Sequence, residues 1–287
     1  MEIIVGKLAG FCGGVINSVT KTDKILDDCK VIYCLGELVH NKQVVDKLKN
    51  KGLIQIESLN NLEDGSRVII RAHGVPKEVY EVAHKKHIEL FDLTCPNVLR
   101  IHEKAEKLVE NEYFIILIAQ KDHPEAIGTI SFCGKDSIIL ENIDGIEEVR
   151  RKIKACDKKK IAIISQTTYS VAKFLELVEG LKKEFNDYEI KVDNTICSAT
   201  ELRQKETSQL AENVDAMIII GGKNSSNTKK LYELSKTKCK NTIILETLND
   251  LDVDMSFYKT VGVMAGASTP KESIEEVVEY LKNVNNV

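Results

Sequence analysis

Proline is scarce in this sequence, with 4 residues in 287. That scarcity excludes collagenous and proline-rich disordered chains, and 43% hydrophobic with 29% charged residues describes a globular protein able to bury a core. A surplus of one charge is also missing. Forty basic residues face 44 acidic ones, giving a net charge of -4 with no basic stripe, which argues against nucleic acid as a partner. An anionic ligand must therefore be held by local groups. No apolar run is long enough to span a bilayer, and MEIIVGKLAGFCGGV lacks the basic, apolar and cleavage regions of a secretory signal. The expectation is a cytoplasmic protein with no membrane partner. Local metal motifs are absent too: among 8 cysteines there is no CxxC, no CxxxCxxC and no zinc-finger spacing. In a reducing compartment such cysteines are packing residues, metal ligands or catalytic groups rather than disulfides.

What is present is alternation. Short apolar runs at 2–5, 31–35, 68–71, 114–119, 161–165, 216–221 and 261–265 alternate with amphipathic stretches of helical length. This is the pattern of an α/β protein whose parallel strands are buried on both faces. Many of the runs end in small or polar residues just before a helical stretch. Their loops therefore lie at strand carboxyl ends, where open α/β sheets bind ligands.

An order of residues repeats three times along those loops. Cys12 in GFCGGV, Cys95 in DLTCPN and Cys197 in NTICSA each precede a helical stretch. His40 in LVHN, His123 in KDHPE and Asn227 in KNSSN follow them at offsets of 28, 28 and 30. His73 in RAHG, Thr167 in SQTT and Ser268 in AGAST follow at 61, 72 and 71. Repetition of this kind implies repeated structural units. The expected fold is three small α/β lobes with mainly parallel sheets, arranged with pseudo-threefold symmetry so that three thiolates converge at the centre. The lobes would span 13–95, 96–196 and 197–287, the last completed by 1–12.

A free cysteine is most often a small buried apolar side chain; the threefold order argues otherwise for these three. Three thiolates leave one coordination position open on a tetrahedral metal or a cubane cluster, and an open position means catalysis. Sulfur ligation with no histidine in the same turns suits a 4Fe-4S cluster, with zinc as the second possibility. His40, His73 and His123 can donate hydrogen bonds, while Ser225, Asn227 and Ser268 add neutral donors near helix N-termini, a set able to grip a diphosphate. His84, His87 and His102 fall on helical stretches and are expected to be solvated or packed. Glu125 follows His123 and Pro124 at a helix start. A carboxylate there commonly just favours the helix dipole. Near an open metal position it can instead donate a proton to a leaving hydroxyl, with Thr167 or Thr168 as relay.

With GFCGGV, LVHN, AHGVP, DLTCP, KDHPE, SQTT, TICSAT, GGKNSSN and AGAST in this order, the chain resembles the IspH/LytB reductases of the methylerythritol phosphate route to isoprenoids over nearly its whole length. The resemblance implies one 4Fe-4S cluster with three cysteine ligands, Cys12, Cys95 and Cys197. It also implies a diphosphate pocket of His40, His73, Ser225, Ser226, Asn227 and Ser268, with His123, Thr167 and Thr168 contributing, and Glu125 as proton donor. The implied reaction is reductive dehydroxylation of 4-hydroxy-3-methylbut-2-enyl diphosphate to isopentenyl and dimethylallyl diphosphates, with electrons arriving singly from a ferredoxin or flavodoxin. Two alternatives stand beside it. One is a 4Fe-4S dehydratase similar to quinolinate synthase, whose dicarboxylate substrate suits the His/Ser/Asn loops less well. The other is a non-enzymatic cluster-based sensor, for which no partner- or DNA-binding element is visible. Cys29, Cys34, Cys133, Cys156 and Cys239 carry no expected role beyond core packing.

Overall fold

The computed structural model describes residues 1–28 and 31–284, so Cys29 lies outside the described residues. Its strands are β1 (Glu2–Val5), β2 (Ile32–Leu35), β3 (Leu53–Ile56), β4 (Arg67–Ile70), β5 (Glu89–Asp92), β6 (Phe114–Ile118), β7 (Ser137–Leu140), β8 (Lys160–Ser165), β9 (Glu189–Val192), β10 (Ala216–Ile220), β11 (Thr242–Leu245) and β12 (Thr260–Ala265). Its α-helices are α1 (Gly13–Asp28), α2 (Lys42–Asn50), α3 (Lys77–Lys85), α4 (Pro96–Glu110), α5 (Pro124–Ile130), α6 (Ile146–Ala155), α7 (Val171–Glu184), α8 (Ser198–Ala211), α9 (Ser226–Lys238) and α10 (Lys271–Val284). Among the described residues, no helix is long and apolar enough to cross a membrane.

The strands form three four-stranded sheets, ordered β3-β2-β4-β5, β7-β6-β8-β9 and β11-β10-β12-β1. Every pairing is parallel. The three lobes thus share one strand order. In the third the fourth place is taken by the N-terminal strand, with Glu2 opposite Thr260 and Val5 opposite Val263.

The chain divides into two compact units. One comprises Met1–Val19, Val39–Lys51 and Ser198–Val287 and holds the sheet centred on β10 and β12. Alternate residues of β10 serve opposite faces. Ile218 and Ile220 pack with Ile274, Val277 and Leu281 of α10, while Met217 and Ile219 pack with Ala211 of α8 and Leu231 of α9. Coverage on both faces is why β10 reads as an unbroken apolar run. Each fully buried isoleucine contributes about 1.5–3 kcal/mol.

The other unit comprises Thr20–Leu38 and Gly52–Cys197 and holds the remaining two sheets. In the β6–β9 sheet, Ile116 and Ile118 pack with Val149 and Ile153 of α6 and with Phe174 and Leu177 of α7. Ile115 and Leu117 face Ile101, Ala105 and Leu108, spaced as one face of α4. In the other sheet Val68 and Ile70 pack with Ala83 of α3. Pro96 and Pro124 begin α4 and α5, where the missing N–H costs nothing. Both helices start directly after a loop that carries candidate chemistry.

Candidate active site

Each of the three cysteines lies at the start of a helix and beside the loop of a neighbouring strand. In the first unit Cys12 precedes α1, and its N–H donates to the carbonyl of Ala267, just beyond β12, at 3.0 Å. In the second unit Cys95 caps α4 and donates to Ala72, beyond β4, while Cys197 donates to Thr167, beyond β8, both at 3.0 Å. The same backbone bond thus fixes all three. All three side chains are half-buried. Cys34 and Cys133 differ: burial pushes both thiols up to about 12, which leaves them inert packing groups. Cys239 is also buried, within the hydrophobic cluster on one face of its sheet. Cys156 packs at the edge of another core, with its sulfur donating to the Ile153 carbonyl.

In the first unit His40, Ser225, Ser226, Asn227 and Ser268 occupy loops or helix starts beyond strand ends. Ser268 Oγ donates to the His40 carbonyl at 3.0 Å. A Cβ on Gly222 would lie 2.4 Å from that same carbonyl oxygen, so only glycine lets the β10 loop approach His40 this closely. Ser225 caps α9, its side chain accepting from the N–H of Thr228 at 3.3 Å. Behind it Ser226 and Asn227 are 4% and 3% exposed, and Ser226 Oγ with both polar atoms of the Asn227 amide find no partner among the described residues. Buried polar groups normally pair. At a helix N-terminus, Ser226 Oγ and Asn227 Nδ2 are donors suited to a phosphate oxygen.

In the second unit His123 caps α5: its Nδ1 accepts from the N–H of Glu125 at 3.1 Å. A neutral ring therefore carries its proton on Nε2, as a donor. The His73 ring meets His123 edge to face, with centroids 5.5 Å apart. Glu125 is 2% exposed, and burial raises its carboxyl to about 7 despite two hydrogen bonds from Thr167 that pull the other way. Thr167 N–H donates to one carboxylate oxygen and Thr167 Oγ1 to the other, each at 2.6 Å. The carbonyl of Thr167 meanwhile takes the N–H of Cys197. One residue thus joins the buried acid to a candidate metal ligand. Thr168 Oγ1 accepts from Gln166 instead and does not touch Glu125 through that bond.

Three residues that position these groups went unmarked in the sequence. Gln166, 1% exposed, accepts from the N–H of Gln120 and so links the loops beyond β6 and β8. Arg203 on α8 is 3% exposed and donates to the carbonyls of Leu8 and Gly10, fixing the segment that leads into Cys12. Asn97 donates from Nδ2 to the Cys197 sulfur at 3.0 Å. A buried arginine on a charged helix looks like a solvated one until its partners, nearly 200 residues away in sequence, are known. His102 packs rather than being solvated: it stacks on Phe132, and burial lowers it to about 4.

The LytB protein family model matches residues 3–282. A 4-hydroxy-3-methylbut-2-enyl diphosphate reductase of Aquifex aeolicus (strain VF5) is 39% identical over 289 residues, 99% of this chain and 97% of that protein. A relative of the same name in Clostridium tetani is also 39% identical across 99% of this chain, which spans 44% of that longer protein. Among solved structures, the E-1-hydroxy-2-methyl-but-2-enyl-4-diphosphate reductase of Plasmodium falciparum superposes with a TM-score of 0.90 at 31% identity, over 98% of this chain and 88% of that one. A second, (E)-4-hydroxy-3-methyl-but-2-enyl diphosphate reductase, the terminal enzyme of the non-mevalonate pathway, gives 0.71 at 38% identity over 99% and 100%. Matched along almost its whole length in sequence and fold, the chain belongs to the LytB family of iron-sulfur reductases.

Proposed function

We propose that this chain reductively dehydroxylates 4-hydroxy-3-methylbut-2-enyl diphosphate to isopentenyl and dimethylallyl diphosphates, the last step of the methylerythritol phosphate route. The observation that carries the proposal is Thr167, which holds a buried acid poised near neutrality and anchors Cys197 at the same strand end. An acid there suits a reaction in which a hydroxyl must leave as water.

Cys12, Cys95 and Cys197 would hold one 4Fe-4S cluster. The donor set fits: three half-buried sulfurs at helix starts, each backbone-fixed alike, with an amide N–H already directed at one of them. When bound, such a cluster supplies electrons one at a time and an open coordination position. The substrate takes up two electrons and two protons as its C–O bond breaks, and the hydroxyl departs as water. Glu125 delivers a proton to that oxygen, and Thr167 keeps the carboxyl aimed and relays its replacement. His40, His73, His123, Ser225, Ser226, Asn227, Ser268 and Thr168 hold the diphosphate by neutral and charged N–H and O–H donors, without a lysine clamp.

Lobes of 13–95, 96–196 and 197–287 with 1–12 form part of the proposal, supported by the common strand order. So does a cytoplasmic setting with a ferredoxin or flavodoxin as one-electron donor. The test is anaerobic iron, sulfide and zinc analysis of the purified protein and its serine variants. Cys12→Ser, Cys95→Ser and Cys197→Ser should each lose cluster and activity together, whereas Cys239→Ser should keep both. Zinc alone in the wild type, or equal loss in all four variants, would overturn the assignment.

A further inference from the structure

Asn97 lies one residue beyond Pro96 in the first turn of α4, the helix that Cys95 caps. Its Nδ2 donates to the Cys197 sulfur at 3.0 Å, and its Oδ1 accepts from Arg100 Nη1 at 3.3 Å. Those two partners fix which way the amide points. Flipped, the amide would turn its oxygen lone pairs on the sulfur and its N–H group on a guanidinium, and both contacts would repel. The core contacts of α4 come from Ile101, Ala105 and Leu108, further along the helix than the turn that carries Asn97.

We infer that Asn97 is a positioning residue that stabilises the electron-rich state of the metal centre through its hydrogen bond to Cys197. The inference rests on the ligand assignment above and adds a role for a residue outside the ligand set. A sulfur that gains negative charge becomes a better acceptor, so an N–H donor directed at it favours reduction, and hydrogen bonds to ligand sulfurs are an established lever on cluster potentials. Arg100 contributes at one remove by orienting the amide. Because α4 starts at Cys95, this side chain also couples the backbone of one proposed ligand to the sulfur of another. Dehydroxylation needs two electrons delivered singly, so the first reduction equilibrium is where this bond acts.

The test is a redox titration of anaerobic holoenzyme followed by electron paramagnetic resonance, on wild type, Asn97→Ala, Asn97→Asp and Arg100→Ala. With iron and sulfide content retained, Asn97→Ala should disfavour one-electron reduction about tenfold, equivalent to 59 mV. Asn97→Asp should disfavour it further, since it replaces the donor with a negative charge, and Arg100→Ala should have a smaller effect of the same sign. A wild-type potential in Asn97→Ala overturns the inference. If Asn97→Ala does not retain the cluster, wild type carrying asparagine labelled with 15N at Nδ2 decides: a 15N coupling to the reduced centre supports the bond, and its absence overturns it. Wild type with no iron or sulfide would instead overturn the ligand assignment itself, so the two failures are distinguishable.

Discussion

Thr167 grips both carboxylate oxygens of Glu125, through its N–H and its Oγ1, at 2.6 Å each. Two donors would ordinarily hold a carboxyl ionised, yet burial outweighs them and the group sits near 7. A gripped acid at that value can be aimed and still give up its proton. Glu125→Gln keeps shape and most hydrogen bonding while removing the transferable proton. It should lower turnover about a hundred- to ten-thousandfold, with substrate affinity preserved and the bound hydroxyl uncleaved. Single-turnover quenching with an artificial reductant would show this, and normal turnover would move the proton source elsewhere.

The raised carboxyl also sets a pH dependence. Its protonated form is lost as pH rises through about 7, so kcat/KM with saturating reductant should fall about tenfold per unit above that point. The same group favours the folded state below its ordinary value of 4.5, and that contribution is lost as pH rises toward 7. In Glu125→Gln the residual rate should be flat across this range; an unchanged limb would assign it to another group.

Loss of a diphosphate donor should appear in binding. His40→Ala, His73→Ala and Asn227→Ala each remove a hydrogen bond to a charged oxygen, about 1.5–3 kcal/mol. KM should therefore rise roughly ten- to a hundredfold with kcat little changed. Steady-state kinetics in which kcat fell at constant KM would place these side chains at the chemistry instead.

Gly222→Ala tests the close approach beside His40. A Cβ 2.4 Å from the His40 carbonyl oxygen forces one loop to move, which should cost about 1–3 kcal/mol. Denaturant unfolding would measure that loss, and a wild-type midpoint would show that the loops separate freely.

The parts of the molecule that could be read from sequence were those governed by burial and spacing. Central strands such as β6 and β10 are covered on both faces, so they stand out as apolar runs. Edge strands β5 and β9 each carry exposed charged residues and have no fully buried position, and their ELFD and EIKV sequences look like the charged segments around them. β7 and β11 have only three consecutive apolar residues each. Cys12, Cys95 and Cys197 were marked by recurrence, because each repeats the same strand-loop-helix junction. The groups that position them were not: Asn97 reaches a sulfur 100 positions away, and Arg203 reaches the carbonyls before Cys12 across 193 and 195. No local pattern records such pairings. His102 shows the same limit, since its helix is charged on one side and its stacking on Phe132 exists only in three dimensions.

The central claim is tested most directly by product formation. Anaerobically prepared protein of known iron, sulfide and zinc content would be given 4-hydroxy-3-methylbut-2-enyl diphosphate and a chemical one-electron reductant, and the C5 diphosphates quantified. The account predicts isopentenyl and dimethylallyl diphosphates together, in amounts that follow cluster content across the wild type and Cys12→Ser, Cys95→Ser and Cys197→Ser. Iron- and sulfide-loaded protein that leaves the hydroxyl in place, or product formed by protein holding zinc alone, would contradict it.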